Sequence, residues 1–451
     1  MDDASSLSKT TLSPTASLAR LLIAMRGEPL SEAAATVAKQ CLLDWLGVAL
    51  GGRREPLVAI LLDELAPTHE PGGCALIGQG RRAGLDHAVL INGAMGHALD
   101  FDDVITAMGH PTAPVAPAVL GLAQALGASG RQALAAFVAG VEAECRIARL
   151  MGPSHYAKGW HGTATFGAFG AAAAAAALMG LEGDRLLNAL GLAGTQAAGL
   201  KSVFGTMSKP LHAGKAAQNG LLAARLAARG FTSDADILGS GQGFAATQST
   251  TVDVAAGFAP RATPWVVDTL FKYHAACYLT HDAIDAAAAL RRETPFTADD
   301  IEAVTVRVRE VHLGVCNIAA PRTGLECKFS LRMTCALALA GEDTFDERLY
   351  SDATATRTDL VELGRRIAVE PTAPAPGSTV EVRLKDGRQV RRTIDVAIPA
   401  RDLAAQQARL ELKFRHLTRA ALTPAAADEV IDICRTLETH LDLARLLTLC
   451  G

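Results

Sequence analysis

GWHGTATFGAFGAAAAAAALMGL, residues 159–181, is a long uncharged run, and its reading decides the architecture. It is mostly alanine and glycine and carries His161 near its start. Alanine adds too little transfer free energy for this run to hold a bilayer span. The same residues make a good buried helix, because small side chains let neighbouring helices approach closely. The alanines at 171–177 are therefore helix filling and not low-complexity disorder. Composition points the same way: hydrophobic residues are 49% of the chain and aromatics only 4%, so the core must be built mainly from Ala, Leu, Val and Gly. A chain of 451 residues is expected to divide into two domains.

Outward from that run the apolar spacing stays helical. It predicts helices within 16–51, over 87–98, 114–127, 131–151, 163–181, 184–198 and 210–230, with a turn-rich stretch at 52–80. Residues 1–14 read as loose, and MDDASSLSKT is too polar and acidic for a secretory signal or transit peptide. Near Pro264 the character changes. Residues 278–290 are still helical, but Val304-Thr-Val306-Arg-Val308 alternates as a half-buried strand. Val380–Leu384 and 390–396 flank Lys385-Asp386-Gly387-Arg388, a hairpin signal, behind a Pro-rich linker at 371–377. From Arg401 the helical pattern returns. The expected fold is mainly α: a large all-helical domain, residues 1–263 plus 401–451, interrupted by a smaller inserted α+β lid domain at 264–400.

A net charge of −4 gives no reason to expect nucleic acid or an acidic membrane surface as partner. The nine cysteines form no CxxC pair, which argues against a zinc ribbon or disulfide scaffold and fits a reducing, cytoplasmic setting. No G-x-G-x-x-G follows a strand and no G-x-x-x-x-G-K-[ST] occurs, so nucleotide binding has no support.

Polar chemistry gathers at helix starts. In GHALDFDDVITAMGHPTAPVAP, residues 96–117, His97, Asp100 and Asp103 recur every third position and would share one face of a helix. The string breaks at Gly109, and His110-Pro111-Thr112 reads as a new helix start with proline in its first turn. Acid and base groups beside a helix N-terminus suit a site that binds a carboxylate and moves a proton; a capped helix pair with a solvated acidic corner is the bland alternative. A metal site from His97, Asp100 and His110 is chemically possible but lacks HExxH-like spacing, and no metal is expected.

Four more segments share this character. In residues 153–163, His161 and Tyr156 are the candidates, while His155 and Lys158 read as surface groups. In residues 205–215, Pro210 suits a first helical position, which places Lys209 near the cap, where charge and dipole together attract a carboxylate; His212 could face the same way. Residues 271–281 bring Lys272, two tyrosines and two histidines to the domain junction, as a cleft needs. Residues 326–330 offer Lys328 or Ser330. Cys277 and Cys327 are not singled out as nucleophiles by their neighbours.

GHALDFDD, HPTAPVAPAVLGLA, GWHGTATFG, GTMSKPLHAGKAAQNGLLAARLAARGFT, FKYHAACYLTH and KFSL occur in this order, and together they resemble the MmgE/PrpD family from about residue 15 to the C-terminal helices. That family includes 2-methylcitrate dehydratase, cis-aconitate decarboxylase and iminodisuccinate epimerase. The resemblance implies a homodimer working without a cofactor on a small di- or tricarboxylate. It also implies that Asp100, His110, His161, Lys209 and Lys272 line the active-site cleft; Lys272 is the substrate-binding candidate among them, and His97, His212 and Ser330, read from the segments above, are the others. The decarboxylase pattern has a threonine where Val104 stands and a tyrosine where Met333 stands, and both departures count against that activity. The epimerase-like branch has a tyrosine and a lysine matching Tyr156 and Lys209, an acid/base pair. The expected function is proton abstraction next to a carboxylate, first as an iminodisuccinate-type epimerase. A 2-methylcitrate-type dehydratase comes next, and a decarboxylase or a non-catalytic polycarboxylate-binding relative are the remaining alternatives.

Overall fold

A computed structural model describes residues 13–373 and 376–451 of the chain. The predicted loose segment falls mostly on residues 1–12, and the middle of the Pro-rich linker on 374–375, both outside the described residues. Ser13 and Pro14 are not loose: the Ser13 hydroxyl accepts from Ala16 N and caps the helix Pro14–Gly27.

The alanine-rich helix Gly162–Leu178 is the centre of the large lobe, and nearly every residue along it is buried. Helices Thr112–Leu126, Gly130–Ala157, Gly183–Gln196 and Ser208–Ala228 pack around it. Small residues make the closest approach possible. A methyl group at Gly220 would collide with the backbone of Ala168 and Ala172, so only glycine lets Ser208–Ala228 lie this near. Gly130–Ala157 carries a capping box at Ser129 and Gln132 and breaks at Gly152, where φ is 61°, ahead of Pro153. That break redirects the last part of the helix, which carries His155 and Tyr156.

Among the described residues one helix, Glu32–Gly52, is long and apolar enough to cross a membrane; 78% of its most apolar window is buried against protein, where it packs on Leu403–Thr418 and Leu85–Gly96. It is a core helix by contact. The turn-rich stretch after it also holds a helix, Pro56–Leu65, and a small hairpin of Cys74–Leu76 with Arg81–Ala83, too short for periodicity to show.

The small lobe is a four-stranded sheet in the order Ile367–Pro371, Ile301–Val308, Ser378–Leu384, Gln389–Ile394. The last two form the hairpin expected at Lys385–Arg388, with Gly387 supplying φ 89° at the turn. The first strand, missed in the sequence, pairs in parallel with Ile301–Val308, and the intervening helices make the crossover that parallel pairing requires. Val304, Val306, Val380 and Val382 face one way and are buried beneath helices His281–Glu293 and Leu331–Ala340.

Two apolar cores result. One runs from Leu18 to Phe271 and takes in Leu410–Cys450; the other is built from residues 275–384. We propose that they correspond to the two domains expected at 1–263 with 401–451 and at 264–400. Val48, Leu99, Phe101 and Leu417 leave the large lobe to join the second core, so the lobes are stitched where Asp100 sits.

Candidate active site

The site is built on a reversal, not on the helix face expected from the spacing of His97, Asp100 and Asp103. Helix Leu85–Gly96 ends at Gly96, and residues 97–103 turn back on themselves. Leu99 and Phe101 plunge into the small-lobe core, and Asp100 between them adopts φ 51°, the only positive φ outside glycine among the described residues. The three polar residues therefore point to different places. Asp103 faces away from the site and accepts from Thr112 Oγ at 2.5 Å, at the start of Thr112–Leu126. Pro111 takes the cap position of that helix, one residue earlier than expected.

Asp100 is the hub. Its Oδ1 lies 2.8 Å from Lys209 Nζ and 2.8 Å from Lys272 Nζ. His110 Nε2 stands 3.5 Å from the same oxygen, and Oδ2 is buried without a partner. Lys209 comes from the first turn of Ser208–Ala228, which begins two residues before Pro210, and its ammonium rests between Phe204 and Phe329 at 5.5 and 5.3 Å from the ring centres. Burial works against the Asp100 charge, but Lys209 and Lys272 hold the carboxyl well below the usual range.

Asp102, which sequence spacing did not single out, organises the imidazoles. Its carboxylate meets His97 Nδ1 at 2.8 Å and His110 Nδ1 at 3.1 Å. The ionised Asp102 faces the Nδ1 atoms of both rings, and His97 Nε2 is buried without a partner. Burial lowers His110 to about 4 and holds His161 well below its ordinary value, so both are neutral bases at pH 7. The rings run in a row, with centroids 4.5 Å apart from His110 to His97, 6.2 Å to His161 and 5.3 Å on to His212. His161 and His212 share one proton between Nδ1 atoms 3.1 Å apart. His161 caps Gly162–Leu178, so the site also faces that helix N-terminus.

Other expected residues lie elsewhere or are occupied. Lys272 is fully buried and spends its ammonium on Asp100, including the backbone carbonyl at 2.6 Å, so it holds the site together and is not free for substrate. Ser330 is also fully buried; its hydroxyl donates to Ile318 O at 2.6 Å and caps Leu331–Ala340, so it is a structural cap and not a substrate ligand. His155, read as a surface group, is buried and bonded to Thr165 Oγ at 2.8 Å, because the Gly152 break folds it inward. In residues 271–281, His274 pairs with Asp285, His281 faces Ala276 O and Tyr278 donates to Val396 O, all away from Asp100. Tyr156 is half-buried, with Lys201 Nζ 3.5 Å above its ring. Burial first, then nearby Cys277, Cys316 and Asp100, push its phenol up, which keeps it protonated.

His97, Asp100, Asp102 and His110 offer atoms within 4.8 Å of one another, close enough to share a metal ion. The Asp100 oxygen already carries two ammonium groups, and both Asp102 oxygens face ring nitrogens. The donor set is thus matched to cations that the protein itself supplies.

Asp103 yields a test of this electrostatic picture. Burial raises its carboxyl from 3.8 to about 7, so the folded protein binds its proton more tightly than the unfolded chain does. Its contribution to stability is complete below about pH 4 and is lost as pH rises through 7. Asp103→Asn mimics the protonated form, and its Tm should gain on wild type from pH 5 to pH 8; a constant difference would remove the buried-acid assignment.

The MmgE/PrpD N-terminal domain matches residues 16–256 and the MmgE/PrpD C-terminal domain matches residues 274–439. The mouse cis-aconitate decarboxylase is 28% identical over 391 residues, 80% of this chain and 78% of that protein. The Aspergillus terreus cis-aconitate decarboxylase is 26% identical over 447 residues, 91% of this chain and 90% of that protein. The human cis-aconitate decarboxylase is 27% identical over 389 residues, with 80% and 79% covered. With both domains matched along nearly the whole chain, this protein belongs to the MmgE/PrpD family.

Proposed function

We propose that the chain is a cofactor-independent lyase for a small tricarboxylate, moving a proton at a carbon next to a carboxylate, with cis-aconitate the first substrate to test. Similarity to several cis-aconitate decarboxylases shifts the first choice from the epimerase expected on sequence to this lyase. The observation that carries the reading is Lys209: a buried ammonium at a helix start, fixed by Asp100 among neutral imidazoles. Decarboxylation of cis-aconitate breaks the C–C bond to the allylic carboxylate. The electron pair moves into a new C=C bond as the old double bond shifts its electrons to the carbon beside another carboxylate. That carbon then needs a proton, and no base is consumed. Lys209 delivers it, Tyr156 stands by as a second acid, and His110 and His161 accept or pass protons and meet substrate carboxylates. Asp100 orients Lys209.

A second reading, epimerisation through Tyr156 and Lys209, draws on Val104 and Met333. Val104 is tied by backbone bonds to Leu270 and its side chain is buried, as is that of Met333, so neither supplies a polar group at those positions. The protein, proposed as a cytoplasmic homodimer on the resemblance, should be incubated in deuterium oxide with cis-aconitate and related di- and tricarboxylates. Release of carbon dioxide with one deuteron beside a carboxylate supports the lyase. Deuteration without loss of carbon dioxide or water moves the assignment to the epimerase, and gain or loss of water to the dehydratase. Binding with none of these makes the chain a non-catalytic relative.

A further inference from the structure

Three lysines far apart in the chain converge on three consecutive backbone carbonyls. Lys328 Nζ donates to Leu99 O at 2.7 Å, Lys272 Nζ to Asp100 O at 2.6 Å, and Lys413 Nζ to Phe101 O at 2.7 Å. They arrive from different directions: Lys328 follows the small-lobe helix Gly324–Cys327, Lys272 lies in the irregular connection between the two cores, and Lys413 sits on Leu403–Thr418 of the large lobe. All three are buried, Lys272 and Lys413 completely.

Burying an ammonium is costly, and apolar side chains of similar length would pack such a joint at least as well. Burial pulls Lys328 down to about 8 and lowers Lys413, whose partial relief comes from Asp44 at 2.7 Å. What the three have in common is the segment they grip. Residues 99–101 are where the chain reverses, where Leu99 and Phe101 enter the small-lobe core, and where Asp100 takes its left-handed backbone. A non-glycine residue persists in that region only where its surroundings over-determine it. Lys413 also lies 4.0 Å from the centre of the Phe101 ring, fixing the side chain as well as the carbonyl.

We propose that Lys328 and Lys413 are positioning residues which, with Lys272, clamp the 99–101 carbonyls and hold Asp100 so that its carboxylate stays on Lys209. Because Lys328 belongs to the small lobe, the clamp closes only when that lobe is seated, which makes an intact joint a condition for a competent site. The catalytic part of this inference rests on the proton-transfer role proposed for Lys209; the geometric part does not.

The test combines kinetics with amide hydrogen exchange. Lys328→Met keeps the aliphatic stem, and the double variant Lys413→Met with Asp44→Asn removes the second arm without stranding a buried carboxylate. Each should lower kcat at least tenfold with KM within threefold, and speed exchange at the Asp100 and Val104 amides at least tenfold. Amides of Gly162–Leu178 should be unchanged, which a general loss of stability would not allow. In the wild type those two loop amides should exchange as slowly as the flanking helices; fast exchange there overturns the clamp even if no variant folds. A kcat within twofold of wild type in both variants, or a kcat loss without loop loosening, also overturns it. If the wild type turns over none of the acids, the functional reading fails while the exchange result still judges the clamp.

Discussion

Lys209→Met should reduce turnover by about a thousandfold or more, with the fold intact. A positioned general acid contributes on the order of 10²–10⁴ in rate, and this lysine is also the cation held by the Asp100 hub. Methionine preserves the stem that lies between Phe204 and Phe329. Lys272 still neutralises Asp100 from the other side, so no buried carboxylate is left alone. A substrate that supplies its own carboxylates should bind several-fold more weakly, but the main loss should be in kcat. Single-turnover measurement of carbon dioxide release, or of deuteron incorporation for the epimerase outcome, reads the chemical step directly. A variant retaining more than about a tenth of wild-type kcat would move the proton donor elsewhere in the site.

Asp100→Asn should show a comparable loss of activity together with a loss of stability. Asparagine tolerates the left-handed backbone as aspartate does, so the substitution isolates charge from conformation. Wild-type Asp100 is held ionised against burial by two ammonium groups. Its neutral replacement leaves both without their counter-charge, and breaking a buried pair in this way costs about 3–5 kcal/mol. Lys209 would also lose the partner that orients it, and kcat should fall at least about a hundredfold. Thermal unfolding and steady-state kinetics on the same preparation give both readings. Full activity with reduced stability would make Asp100 a purely structural charge.

These two outcomes separate roles that sequence could not. Lys209 and His161 were legible as candidates because each stands at a helix start within apolar sequence, and Asp100 because it lies in a string of acids and histidines inside apolar sequence, where such groups are hard to account for by packing. Asp102 was hidden inside the same acidic string. Its value comes from a turn that brings it back to His97, five residues earlier, and to His110. Ser330 and Lys272 looked available for substrate because a sequence does not show what else a side chain already bonds.

Periodicity, small-residue content and turn chemistry determined the helical body and the Gly387 hairpin, and six short ordered motifs carried the resemblance to the family. Those are local properties, expressed by any window of a dozen residues or so. The active-site geometry was decided only by the tertiary structure. The reversal at Asp100 is held by lysines 172, 229 and 312 positions away in the chain, and no local preference specifies a backbone whose bonding partners lie that far off.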